Sequence, residues 1–195
     1  MNGSTHAAVG AATALAVACV TVGKLDAATA SNVAIAGMAG GVLADVDVKQ
    51  SKAAQWTRRG ITICVVMLFL VSLAQFMKSG RITAVGSVRM IGGMALFICL
   101  AIAGMKAPHR EKTHSFVFLC GFSVAVFCIT DCLAATAFAL GYFSHLVIDF
   151  PNKKGECILW PLPKRFCLGL CGANGIVSKC LCFIGCIVCL MCISR

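Results

Sequence analysis

From Ser115 to Asp149 the chain carries a single formal charge, Asp131, before its last residue. As one straight helix this run would be about 52 Å long, well beyond the roughly 30 Å hydrocarbon core of a bilayer. It therefore folds back once. The natural break is "ITDC", where Thr130 or Asp131 caps a returning helix. Other runs of membrane-crossing length cover about 7–23, 27–45, 61–77, 82–105 and 176–193. Only 12% of residues are charged and 59% are hydrophobic, against about a quarter charged in an ordinary soluble domain. The chain reads as an all-α, polytopic membrane helix bundle of about seven helices.

The joints between these runs have local reasons. Asp26 is the N-cap expected for the second helix, and Gly37 and Gly41 are spaced for close helix contact. Arg89 lies inside the fourth run and snorkels or pairs inward. "MNGSTH" has no basic n-region, so residues 7–23 read as a retained helix rather than a cleaved signal. Most of the fourteen cysteines, including "CLCFIGCIVCLMC" at 180–192, sit in membrane-length apolar sequence and act as small hydrophobes in a reducing cell. The net charge of +10 comes from loops between apolar runs. That is a membrane-topology signal, and with no aromatic-interleaved basic patch it argues against a nucleic-acid partner.

The polar groups converge when the path is followed. His6 precedes the first helix, and Asp45 and Asp47 of "LADVD" end the second. Alternating spans deliver His109 and His114 of "HREKTHS" to the same side, and the 115–149 hairpin returns His145 and Asp149 there. All four histidines and three of the seven acids thus meet at one end of the bundle. Glu156 falls in a loop and Glu111 between the histidines. Imidazole nitrogen and carboxylate oxygen are ligands a divalent cation accepts, zinc foremost. His145 and Asp149, four apart, share a helix face. Asp45 and Asp47, two apart, converge only where the helix unwinds.

Loops on the site side hold Lys49, Lys52, Arg58, Arg59, Lys106, Arg110, Lys112, Lys153, Lys154, Lys164 and Arg165, whereas the opposite loops hold Lys24, Lys78 and Arg81. This imbalance predicts that the site faces the cytoplasm. A cation held there would activate water and polarise a phosphoryl or acyl oxygen, with Asp47 as general base. Arg110, Lys112, Lys153 and Lys154 would attract an anionic substrate such as a phospholipid headgroup. The alternative is a non-catalytic membrane protein with a structural ion. Transport fits less well, because the ionisable groups lie at helix ends rather than mid-membrane.

Four boxes, "THAAVGAA" at 5–12, "LADVDVKQS" at 43–51, "HREKTHS" at 109–115 and "GYFSHLVIDFPNKKGECILWP" at 141–161, resemble the YdjM-like group of bacterial inner-membrane proteins, described as membrane-bound metal-dependent hydrolases. The resemblance implicates His6, Asp45, Asp47, His109, His114, His145 and Asp149 as metal ligands. It implies a hydrolase-like domain over 1–163, followed by a cysteine-rich segment, 164–195, with one more span. A more distant likeness is to the zinc-dependent phospholipase C and nuclease fold. Ala44, Val48 and Lys49 depart from the group's Pro-Asp-x-Asp-His-Pro box, and Glu111 replaces its glycine after His-Arg.

Overall fold

The computed structural model describes residues 2–47, 55, 59, 84–170 and 175–194. Among them are six α-helices and no strand: α1 (Gly3–Thr21), α2 (Ala27–Leu43), α3 (Ala84–Met105), α4 (Phe116–Ile129), α5 (Cys132–Asp149) and α6 (Ile176–Ile193). Five stretches, Gly3–Thr21, Ala27–Asp47, Val88–Lys106, Cys132–Asp149 and Ile176–Ile193, are long and apolar enough to cross a membrane. Six helices rather than seven are therefore described; the expected span 61–77 and the cations Lys49, Lys52, Arg58, Lys78 and Arg81 lie outside the described residues.

Caps set several of the boundaries. Asp26 accepts from the Thr29 N–H at 2.7 Å and opens α2, and these hydrogen bonds hold its carboxyl below the usual range. Ser115 opens α4, and Asp131, accepting from the Ala134 N–H at 2.8 Å, opens α5. The fold-back in the 115–149 run thus falls at "ITDC". Arg89 reaches from α3 to the carbonyls of Phe127 and Thr130 at the end of α4, with its guanidinium 4.7 Å from the Phe127 ring centre. A cation there satisfies carbonyls that have no partner within their own helix.

Three helices touch at backbone level. A Cβ on Gly10 would meet the Gly37 carbonyl oxygen at 2.5 Å, and one on Gly141 would collide with the same oxygen. One on Gly41 would collide with the His6 carbonyl. Small residues let α1, α2 and α5 approach until main chain meets main chain, as membrane helices do where apolar lipid gives burial little advantage. Beside them Phe118, Phe122, Phe138, Tyr142 and Leu146 form an apolar core under the α3–α4 side.

Two elements differ from the sequence expectation. Helix α1 starts at Gly3, so His6 sits within its first turns rather than before it. The reason lies at the other end of the chain, where the Thr5 hydroxyl and the Ser178 hydroxyl are 2.9 Å apart and Thr5 also donates to the Ser178 carbonyl at 3.1 Å. Helix α2 ends at Leu43, and Ala44–Asp47 tightens into a 3₁₀ turn. That change of pitch lets both aspartates of "ADVD" face the same cluster.

Candidate metal centre

The structure brings all seven expected residues together at one end of the bundle. His6 comes from the start of α1, Asp45 and Asp47 from the 3₁₀ turn, and His109 and His114 from the loop after α3. His145 and Asp149 occupy the last turns of α5. Groups of these side chains, His6/His145/Asp149, Asp45/His114/His145 and Asp45/Asp47/His109, each offer three ligand atoms within 4.8 Å of one another. His6, His114, His145 and Asp149 are all buried, while the side chain of His109 is 42% exposed and that of Asp45 18%, so these two form the rim.

The innermost histidines have fixed tautomers. His145 Nδ1 lies 2.8 Å from the Gly41 carbonyl oxygen, which can only accept, so Nδ1 carries the proton and Nε2 is bare. Thr113 gives its hydroxyl proton to Asp47 Oδ2 at 2.8 Å and so accepts from His114 Nδ1 at 3.1 Å, leaving that Nε2 bare as well. The two Nε2 atoms face each other at 3.2 Å, with Asp45 Oδ1 at 3.8 Å from each. Two lone pairs at that distance need a proton or a cation between them. Ligands of a tetrahedral zinc ion lie about 3.3 Å apart, because zinc–nitrogen bonds are 2.0–2.1 Å. The donor set and its spacing therefore fit a divalent ion.

Around this pair the other groups hold position. The His6 ring stacks on His145 at 3.8 Å, and His6 Nε2 is 3.2 Å from Asp149 Oδ1. Asp47 accepts from His109 Nδ1 at 2.9 Å, from the Arg110 N–H at 2.9 Å and from Thr113. Both of its oxygens are engaged, so Asp47 orients the 109–114 loop. Tyr142 donates to the Thr113 carbonyl at 2.5 Å and pins that loop to α5.

Arg110, expected at the surface to meet an anion, is only 5% exposed. Its guanidinium turns inward onto Asp149 Oδ2 at 2.5 Å and the Lys154 carbonyl at 2.5 Å, from a backbone with φ of 64°. Lys112 stays half-buried, its ammonium 5.7 Å from the Trp160 ring centre. Lys153 and Lys154 are exposed.

Sequence reasoning missed Glu156. It is fully buried, neither carboxylate oxygen has a hydrogen-bond partner, and Arg110 Nη1 is 4.0 Å away. Burial first, and then the charge of Asp149, push its carboxyl from 4.5 up to about 8. Because the folded value is raised, its contribution to stability is fully present below about pH 4.5 and lost as pH rises through about 8. In metal-free protein the melting temperatures of wild type and Glu156→Gln are expected to be close at acidic pH, with wild type falling progressively behind across that window. A gap that does not change with pH would contradict this. The signal in the sequence was an acid set directly against an apolar stretch, "ECILWP".

A helical bundle with five potential membrane spans among the described residues and a buried histidine–aspartate cluster at one end defines a polytopic membrane protein with a candidate metal centre. The model of the YdjM inner membrane protein family matches residues 1–194, and the chain belongs to that family. The match includes α6, which the four sequence boxes leave out. No curated protein and no solved structure matches the chain.

Proposed function

We propose that the protein is a metal-dependent hydrolase of the inner membrane, acting on a phosphodiester or ester, such as that of a lipid, at the cytoplasmic face. The observation that carries this reading is the pair of bare imidazole nitrogens at 3.2 Å with a carboxylate 3.8 Å from both. A divalent cation, zinc by its donor set, would be held by His114, His145 and Asp45, with His6 and Asp149 packed behind and Asp47 and His109 setting the loop. When bound it supplies Lewis acidity, making water a better nucleophile and polarising a phosphoryl or acyl oxygen. The chain's own part is to exclude bulk water from the buried imidazoles and to leave an approach past Asp45 and His109. Asp47, with both oxygens engaged, holds the loop rather than acting as a base, and Asp45 on the rim serves as ligand. Lys112, Lys153 and Lys154 draw an anionic headgroup toward the rim. The excess of basic residues in the site-side loops supports the cytoplasmic orientation.

One observation favours a second reading, a structural ion in a non-catalytic membrane protein: the three inner histidines are completely buried, as in a closed structural site. Metal analysis of purified protein is the first test. Wild type is expected to retain a divalent metal that His145→Ala and Asp45→Asn lose, and unchanged content in both variants removes the hydrolase reading. Hydrolysis of phosphodiester and ester lipids by the loaded wild type, absent in Asp45→Asn, then separates enzyme from structural site.

A further inference from the structure

Glu156 stands outside the seven residues that carry the reading above, yet it is built into the same cluster. Its main chain is clamped: its N–H donates to the Phe166 carbonyl at 2.9 Å, and the Phe166 N–H donates back at 2.9 Å. The next residue, Cys157, donates to the Arg110 carbonyl at 3.1 Å. The clamp holds the side chain inside, where one of its oxygens lies within 4.8 Å of ligand atoms on both His114 and Asp149. Arg110 does not satisfy it, because at 4.0 Å its nearest nitrogen is beyond hydrogen-bond reach and its other contacts go to Asp149 and Lys154. Both Glu156 oxygens are buried among the described residues without a donor. A buried carboxylate with no donor is costly, and a cation is the partner that removes the cost.

We propose that Glu156 is a ligand of the cation held by His114 and His145. The inference rests on the metal reading and extends it by one residue. With His114 Nδ1 directed at Thr113, Nε2 is the nitrogen left to give, and one nitrogen binds one ion. The trios Asp45/His114/His145 and His114/Asp149/Glu156 therefore describe a single position, reached by Asp45 from the 3₁₀ turn and by Glu156 from the loop after α5. The ion would be bound by nitrogen and by carboxylates from separate segments of the chain, so binding also ties the 150–170 loop to the helix ends.

The test uses the full chain in detergent, stripped with chelator and titrated with zinc chloride alone. Bound zinc is measured after equilibrium dialysis, and melting is followed with and without the metal. Glu156→Gln is expected to weaken zinc binding at least about tenfold, the least that removing a group attached to a metal site costs. It should also melt no lower than wild type when metal-free, because a buried carboxyl whose oxygens lack donors has been removed. That combination, with the zinc-induced rise in melting temperature cut sharply, is not what a merely structural residue would give. Glu156→Met, of similar length and without oxygens, carries the test if Glu156→Gln does not fold. Wild-type zinc affinity in the glutamate variant, with binding lost in His145→Ala, overturns the role of Glu156 and leaves the metal site standing. Undiminished binding in His145→Ala as well overturns both.

Discussion

Gly41→Ala is expected to cost about 3 kcal/mol or more in stability, the upper end for overpacking, and to lower metal affinity with it. The added methyl would collide with the His6 carbonyl oxygen, which is main chain and has no rotamer to yield. The same glycine supplies the carbonyl that orients His145, so one atom added at this crossing disturbs two candidate ligands. Gly92→Ala is the matched control: a Cβ there meets nothing within 4 Å, and helix propensity favours alanine. Thermal melts and zinc titration of the two variants decide the matter. A Gly41→Ala protein that melts and binds zinc like wild type would mean that α1 and α2 do not approach as described.

Arg110→Met is expected to destabilise the metal-free protein by about 3–5 kcal/mol, the usual result of removing one partner from a buried ion pair. Asp149 would keep Asn152 and His6 as neighbours but lose the guanidinium. Arg110→Lys should recover part of this at most, because an ammonium cannot reproduce the fork that spans Asp149 and the Lys154 carbonyl. The backbone offers an internal check. With φ at 64°, Arg110→Gly should fall short of Arg110→Ala in its damage by about 1 kcal/mol, since glycine relieves the left-handed conformation. Melting curves of the four variants measure this, and equal stability of Arg110→Met and wild type would sink it.

Much of the arrangement was legible because it follows from length and periodicity. A run too long for one crossing had to reverse, and Asp131, the one charge inside it, marks the reversal as an N-cap. Once the spans alternate, His6, Asp45, His114 and Asp149 must share one end, and they do. A break from α geometry near Asp45 and Asp47 was legible too, because aspartates two apart cannot share a helix face, although the turn tightens where unwinding was expected.

What stayed hidden depends on contacts between distant segments. Glu156 is buried through its pairing with Phe166, which no local pattern encodes. Arg110 turns inward because its own N–H and guanidinium both find aspartates from other elements, Asp47 and Asp149. Helix α1 begins early because Ser178 meets Thr5. In each case the decisive partner lies outside the residue's own element, and local propensity says nothing about it.

The contact between Thr5 and Ser178 sets an order of events during biosynthesis. The helix bearing His6 emerges from the ribosome first, and the segment that grips its start emerges 173 residues later. Until then α1 lacks the neighbour whose Gly185 packs against its Ala8 backbone, and its first turns rest on α2 and α5 alone among the described elements. A nascent chain paused before α6 would therefore carry all seven histidine and aspartate groups but lack the clamp on the start of the helix that bears His6.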